Sequence, residues 1–227
     1  MKLLTRFGGI AVLLTMFNTV AKADDLAPAV ITWLDAQAKI QTWTADFTQT
    51  RKLKSLTQPL VAHGKVWFAE PNKFRWELGN PPQTIAVRAP QELIILYPHL
   101  KRAERFSLNA QQPGPWRDAL GLLEAGFPRS RAAMEAQYNI LSQKFNGNVC
   151  KLFLQPKSVA ARRMMPRIEV DFDTTENLLR ATELEFADGS TMRNDFSNIV
   201  TNPKIDTQMF SPPIPDNYKV TDLMKHH

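Results

Sequence analysis

"KVWFAEPNKFRWELGNPPQTIAVR", Lys65 to Arg88, decides how this chain folds. Val66, Phe68 and Glu70 point one way and Lys65, Trp67 and Ala69 the other, the period-two alternation of a strand with one buried face. "EPN" makes a turn, after which Phe74, Trp76 and Leu78 oppose Lys73, Arg75 and Glu77; "GNPP" makes a second turn before Gln83 to Arg88. Consecutive strands joined by such short turns run antiparallel, so the stretch reads as a meander. It offers a well-defined apolar face and no nucleophile, glycine cradle or metal-ligand cluster.

The strand rhythm extends in both directions. Upstream, Trp43, Ala45 and Phe47 alternate with Thr44, Asp46 and Thr48. Before them "LAPAVITWLDAQAKIQ" places Leu26, Val30, Trp33, Leu34, Ala38 and Ile40 near helical spacing, which predicts one amphipathic helix. Downstream, Glu92 to Tyr97 and Lys101 to Ser107 read as strands around the "PHL" turn. The rhythm breaks from Gln111 to Met134, where "PWRDALGLLEAGF" and "PRSRAAMEA" read as two short helices, each with a proline near its start, and Trp116, Leu120, Leu123 and Phe127 on the apolar side. Strands resume at Tyr138 to Lys144, Val149 to Gln155, Arg167 to Asp173, Arg180 to Phe186 and Thr191 to Ile199, with "NGN" and "DGS" as tight turns. The expectation is a mainly β fold of about ten or eleven antiparallel strands plus a few helices.

Residues 1 to 23 read as a secretory signal peptide. Lys2 and Arg6 give a basic start, "FGGIAVLLTMFNTV" an apolar run shorter than the ~20 residues a bilayer span needs, and "AKA" a cleavage signal after Ala23. The expected product is one exported domain, residues 24–227, with no cysteine at its start for a lipid anchor. Removing the leader takes three basic residues and no acid, so a formal +6 becomes +3. That modest charge, in an exported chain, sets nucleic-acid binding aside. Cys150 is the single cysteine, so no intramolecular disulfide forms and stability must come from packing.

Four segments together carry a resemblance: "TWTADFTQTRKLKS", "GKVWFAEPNKFRWEL", "QTIAVRAPQELIILYPHLKRAERF" and "ADGSTMRNDFSNIVTNPKIDTQMFSPPIPDNY". In this order they resemble the successive signatures of the LolA family of outer-membrane lipoprotein carriers, through nearly all of the mature chain. The resemblance implies a periplasmic, non-catalytic monomer without a cofactor. Its fold would be a curved, half-open, incomplete antiparallel β-barrel with an N-terminal helix and short lid helices over an apolar cavity. It would take acylated lipoproteins from an inner-membrane ABC transporter to an outer-membrane acceptor.

Burial energetics fit such a task, because each methylene removed from water contributes about 0.8 kcal/mol and an acyl chain cannot cross an aqueous compartment exposed. Release in turn requires loose contacts under a movable cover. The residues expected to face the cavity are Trp43, Phe47, Val66, Phe68, Phe74, Trp76 and Leu93, with Trp116, Leu120, Leu123 and Met134 in the lid. Core packing is the alternative reading for each.

One position departs from the family pattern. The residue before the proline of W-x-x-x-P, an arginine that holds the lid in well-studied members, is here Glu70. An ionised carboxylate only accepts hydrogen bonds, so this latch position would work differently, pairing with a lid cation such as Arg117, Arg129 or Arg131, or the cargo would differ; a solvated Glu70 beside its turn is the plain alternative. Carriage of other lipids, such as glycolipids or pathway intermediates, is therefore the second functional reading, and an enzyme working inside the cavity a third.

Three basic runs, "RKLKS" (Arg51, Lys52, Lys54), "KRAER" (Lys101, Arg102, Arg105) and "RRMMPR" (Arg162, Arg163, Arg167), read either as solvated faces or as docking sites for an acidic partner or anionic lipid. Met164 and Met165 beside Pro166 read as an adaptable apolar loop tip. His63 and His99 are isolated, no zinc, serine-hydrolase or metalloprotease motif occurs, and Asp171 and Asp173 read as a solvated outer-face pair. Cys150, within "NVCKLFL", reads as a buried small hydrophobe.

Overall fold

The computed structural model describes residues 26–108, 128 and 130–222. The first helix, α1 (Pro28–Gln37), starts on a proline, whose missing N–H costs nothing at a helix N-terminus. Twelve strands follow: β1 (Thr42–Lys52), β2 (Leu60–Ala69), β3 (Lys73–Leu78), β4 (Thr84–Arg88), β5 (Glu92–Tyr97), β6 (Arg102–Ser107), β7 (Tyr138–Asn146), β8 (Val149–Pro156), β9 (Arg167–Asp173), β10 (Leu179–Glu185), β11 (Thr191–Thr201) and β12 (Lys219–Asp222). Helix α2 (Arg131–Gln137) precedes β7, and α3 (Val159–Met164) lies between β8 and β9.

All twelve strands form one sheet in the order β12-β6-β5-β4-β3-β2-β1-β11-β10-β9-β8-β7. Two meanders, β1 to β6 and β7 to β11, are joined through the long antiparallel pair β1 and β11. The ends β7 and β12 do not meet, so the barrel is incomplete. The β1–β11 register shifts between Thr44 and Asp46, where β11 carries one extra residue, a bulge in β11; there Asn198, at φ 49°, donates from Nδ2 to Asp46 at 2.7 Å. Such a bulge bends and twists its strand, which suits a sheet that must curl.

The inner face holds the principal core. On α1, Val30, Trp33 and Leu34 meet Cys150, Leu152, Leu154, Ile168, Val170 and Phe172, and the Trp33 ring stacks on Phe172 at 4.4 Å and 9°. The Gln37 side chain pins the other end of the helix by donating to the Asn177 carbonyl at 2.9 Å. The outer face of β4 to β6 has its own apolar layer, in which Ile94, Leu96 and Ala103 are met by Ile214 and Tyr218 of the C-terminal segment. Arg75 ties that segment down, donating from its guanidinium to the Met209 carbonyl at 3.2 Å.

Several expectations need correction. Strand β12 escapes the alternation rule because its four exposed residues hold their place by parallel pairing with β6. The methionine loop is not a free tip: residues up to Met164 form α3, capped by the Ser158 hydroxyl, and Met165 is buried in the core. The first helix of the interruption, "PWRDALGLLEAGF", lies outside the described residues, and the second is α2.

Asp171 and Asp173 share the outer face as expected, but both are buried rather than solvated. Asp171 lies between Arg193, at 2.8 Å, and Lys151, at 3.3 Å, within a network that includes Glu169, Glu183 and Asp195. Asp173 accepts from the backbone N–H groups of Thr175 and Glu176 at 2.8 and 2.9 Å and from Asn148 at 2.7 Å, with Arg180 at 3.4 Å. The Glu176 amide first, then the Thr175 amide and Arg180, hold its carboxyl below the ordinary range. A group whose folded pKa is depressed stabilises above its unfolded value, about 3.9, and loses that contribution as the pH falls through the folded pKa. Asp173→Asn is therefore expected to cost about 1 kcal/mol near neutral pH, with the gap from the parent closing in acid, as read by urea titrations across pH.

Candidate functional site

Strand register builds the inner face row by row. Trp43 is opposite Phe68, Phe68 opposite Phe74, Phe74 opposite Arg88, Arg88 opposite Leu93, and Leu93 opposite Phe106. The next row runs from Ala45 through Val66, Trp76 and Ala86 to Ile95, and a third from Phe47 through Gly64 and Leu78 to Thr84. All seven residues expected to face inward, Trp43, Phe47, Val66, Phe68, Phe74, Trp76 and Leu93, thus share one face. Residues on a sheet face stay together because side chains alternate with period two.

Their burial differs, and the difference locates the accessible part. Trp43, Phe47 and Val66 belong to the principal core beneath α1, whereas Phe74 and Leu93 form a second cluster with Ile95 and Phe106. Trp76 touches both clusters. Phe68, Trp76, Leu78, Ala86 and Tyr97 are only partly buried, so an apolar strip crosses β2 to β5 at intermediate exposure.

An aromatic floor underlies the strip. The Phe47 and Trp76 rings lie 4.0 Å apart, Trp43 meets Phe196 edge-on at 5.2 Å, and Phe196 approaches Phe47 and Trp76 at 6.5 and 6.4 Å. Gly64 makes room for it: a Cβ there would stand 2.3 Å from the Phe47 ring and 2.2 Å from the Glu77 carbonyl oxygen. Since the second obstacle is backbone, the β2–β3 pair would have to part. Gly64→Ala is expected to destabilise by about 1–3 kcal/mol in thermal denaturation, with altered aromatic circular dichroism from the displaced Phe47.

Arg88 stands on the inner face between Phe74 and Leu93, and the other polar groups sit at the margins. Tyr97 donates from its hydroxyl to Glu104 at 3.3 Å, and Arg102 lies 4.8 Å above its ring. Burial, then the Glu104 charge, pushes the Tyr97 hydroxyl pKa up, so it stays a neutral donor. Glu70 comes one residue after β2 and donates its backbone N–H to the Gln41 carbonyl at 2.9 Å. Of the cations named as its partners, Arg117 and Arg129 lie outside the described residues, and Arg131 pairs at 2.6 Å with Glu135 in its own helix.

Of the residues assigned to a lid, Trp116, Leu120 and Leu123 lie outside the described residues. Met134 is buried in the principal core with Leu26, Val30 and Tyr138. Sequence reasoning passed over Ile95, Phe106 and Phe196, which complete the face together with Leu78, already placed beside Phe74 and Trp76; parity from Leu93 points to Ile95, whereas Phe196 follows only from the β1–β11 register.

No group of His, Cys, Asp and Glu suited to a metal ion occurs among the described residues. Cys150 is fully buried, and burial first, then the Asp171 charge, raises its thiol pKa to about 11, so it is not a ready nucleophile. His63 is paired with Thr48 on the outer face at 3.1 Å. No helix among the described residues is long and apolar enough to cross a membrane.

Residues 38–213 match the family model for the outer membrane lipoprotein carrier protein LolA. The chain belongs to the LolA family. Its similarity to curated members is modest in identity and wide in extent. It is 24% identical to an outer-membrane lipoprotein carrier protein of Bordetella avium, over 97% of this chain and 98% of that one. To the outer-membrane lipoprotein carrier protein of Nitrosospira multiformis it is 29% identical, over 76% and 79% of the two chains. Among solved structures, it is similar to a LolA superfamily protein from Nitrosomonas europaea at 9% identity and a TM-score of 0.41, with 79% of this chain and 96% of that chain covered.

Proposed function

We propose that this protein is a periplasmic carrier that shelters the acyl chains of lipoproteins on the inner apolar face and moves them from an inner-membrane ABC transporter toward an outer-membrane acceptor. The observation that carries the reading is the half-open strip of Phe68, Trp76, Leu78 and Ala86 on that face, in a chain of the LolA family. The task is binding and release, with no bond made or broken and no cofactor. Residues 1–23 are the export signal, removed after Ala23 to leave residues 24–227 as a single binding domain. Phe68 and Trp76 contact the acyl chains, Phe74 and Leu93 wall the strip, and Trp43, Phe47 and Val66 support it from below.

Transport imposes two opposed energetic demands. Burying about ten methylenes is worth roughly 8 kcal/mol, enough to hold cargo without a covalent bond. An acceptor must then outbid the contact, which favours an incompletely packed strip over a close-packed core. Glu70, in place of the family's arginine, makes carriage of another lipid the second reading.

The test is to export the chain on its own signal, purify it without detergent and weigh what accompanies it by native mass spectrometry. A triacylated polypeptide is the expected companion. Free lipid without a peptide would favour the second reading, and a reproducibly empty protein would contradict both.

A further inference from the structure

The three basic runs, scattered through the sequence, converge on one end of the sheet. Strand directions put the β1–β2 hairpin, the β5–β6 turn, the α3 connection and the β10–β11 turn at that end. Lys52 pairs with Thr191 at the foot of the β10–β11 turn, and Ala187 in that turn donates to the Met164 carbonyl at 2.9 Å, linking "RKLKS" to "RRMMPR". Lys101 closes the β5–β6 turn in the left-handed region at φ 46°.

Most acids at this end are matched: Glu185 to Arg167, Glu104 to Arg102, and Asp188 to the Ser190 hydroxyl and amide with the Lys54 charge near it, while Asp216, just ahead of β12, is exposed. Arg51, Lys52, Lys54, Lys101, Arg162 and Arg163 form no ion pair among the described residues. The opposite end is mixed, with Glu70, Asp173, Glu176 and Asp206 beside Lys73, Arg180 and Lys204.

Large aliphatic side chains stand out among these cations. Leu56 is 47% exposed, Leu60 49%, Val61 57%, Leu100 68% and Val159 55%. Residues Leu60–His63 run past the end of β3, whose pairing with β2 begins at Gly64, so the hairpin projects beyond its neighbour.

We propose that this end, formed by the β1–β2 hairpin, the β5–β6 turn and α3, docks onto an anionic phospholipid bilayer, with Leu56, Leu100 and Val159 entering the interface and the six cations meeting headgroup phosphates. Aliphatics on three separate loops do not make the shared groove that a folded acidic partner would fill. A fluid bilayer accepts each one independently while its phosphates match the cations between them. The inference goes beyond the carrier reading and stands apart from it, because it concerns the outside of the molecule and no acylated cargo.

The experiment uses residues 24–227 and cargo-free vesicles of phosphatidylcholine alone or in equimolar mixture with phosphatidylglycerol. The protein is expected to float with the mixed vesicles only, and added salt should release it. Replacing Lys52 and Lys54 by glutamine should lower partitioning roughly thirty-fold, and replacing Arg162 and Arg163 should do the same. Leu56→Cys, labelled with an environment-sensitive fluorophore while buried Cys150 stays unlabelled, should shift to the blue on the mixed vesicles. Absence of flotation, flotation indifferent to salt, or a label that remains in water would each overturn the proposal. The salt and label readouts keep it testable should a glutamine variant fail to fold.

Discussion

Trp33→Ala is expected to remove about 3–5 kcal/mol of folding stability, the largest loss anticipated for any single side chain here. The indole is fully buried and stacked on Phe172, at the contact that fastens α1 to the inner face of the β7–β11 half. Alanine would leave a cavity walled by strands whose backbone hydrogen bonds prevent collapse, so transfer and cavity costs add. Against a typical domain stability of about 5–15 kcal/mol the variant would be marginal. Its Tm should fall by about 6–20 °C, taking about 2–4 °C per kcal/mol for a chain of this size. Trp33→Phe should be far milder, because it keeps a ring on Phe172 and discards an indole N–H that has no hydrogen-bond partner among the described residues. Urea denaturation followed by far-ultraviolet circular dichroism would rank the three proteins.

The second large effect concerns binding. Phe68→Glu should weaken capture of acylated cargo by at least about tenfold, since losing an aromatic contact costs roughly 1.5–3 kcal/mol before the penalty of setting a carboxylate against an alkyl chain. Phe68 is only partly buried at the edge of the principal core, so the fold should survive. Titration of a fluorescent acylated peptide into parent and variant gives the ratio, and a melting curve confirms that the variant is folded. Equal affinities would remove Phe68 from the binding surface.

The strands were legible because their chemistry is local. Alternation in β3 and β9, and an apolar run closed by turn residues in β5, set these strands at or close to their observed bounds; parity showed which residues share a face within each strand, and the register then put Trp43, Phe68, Phe74 and Leu93 on a common one. What stayed hidden depends on distant partners. β12 has no pattern of its own and exists through β6; Asp171 is buried only because Lys151 and Arg193, on other strands, close over it. Met165 looked like a loop tip because nothing nearby in sequence shows that the α3 connection folds back onto the core. Phe47 and Gly64 likewise gave no sign of each other, since a ring lying over a glycine is a fact of pairing between strands.

The basic runs teach the same lesson about function. Each one alone looks like an ordinary solvated face; their meeting at one end, among exposed leucines and valines, follows from strand direction.

The central claim, that the inner face is where acyl chains lie, is tested most directly by photo-crosslinking from two adjacent positions. A benzophenone side chain would be placed at 68, on the inner face, and in a second protein at 67, on the outer face, and each irradiated with a lipoprotein labelled in its acyl chains. The account predicts a labelled adduct from position 68 and none from position 67. Adducts from position 67, or equal yields from both, would contradict it.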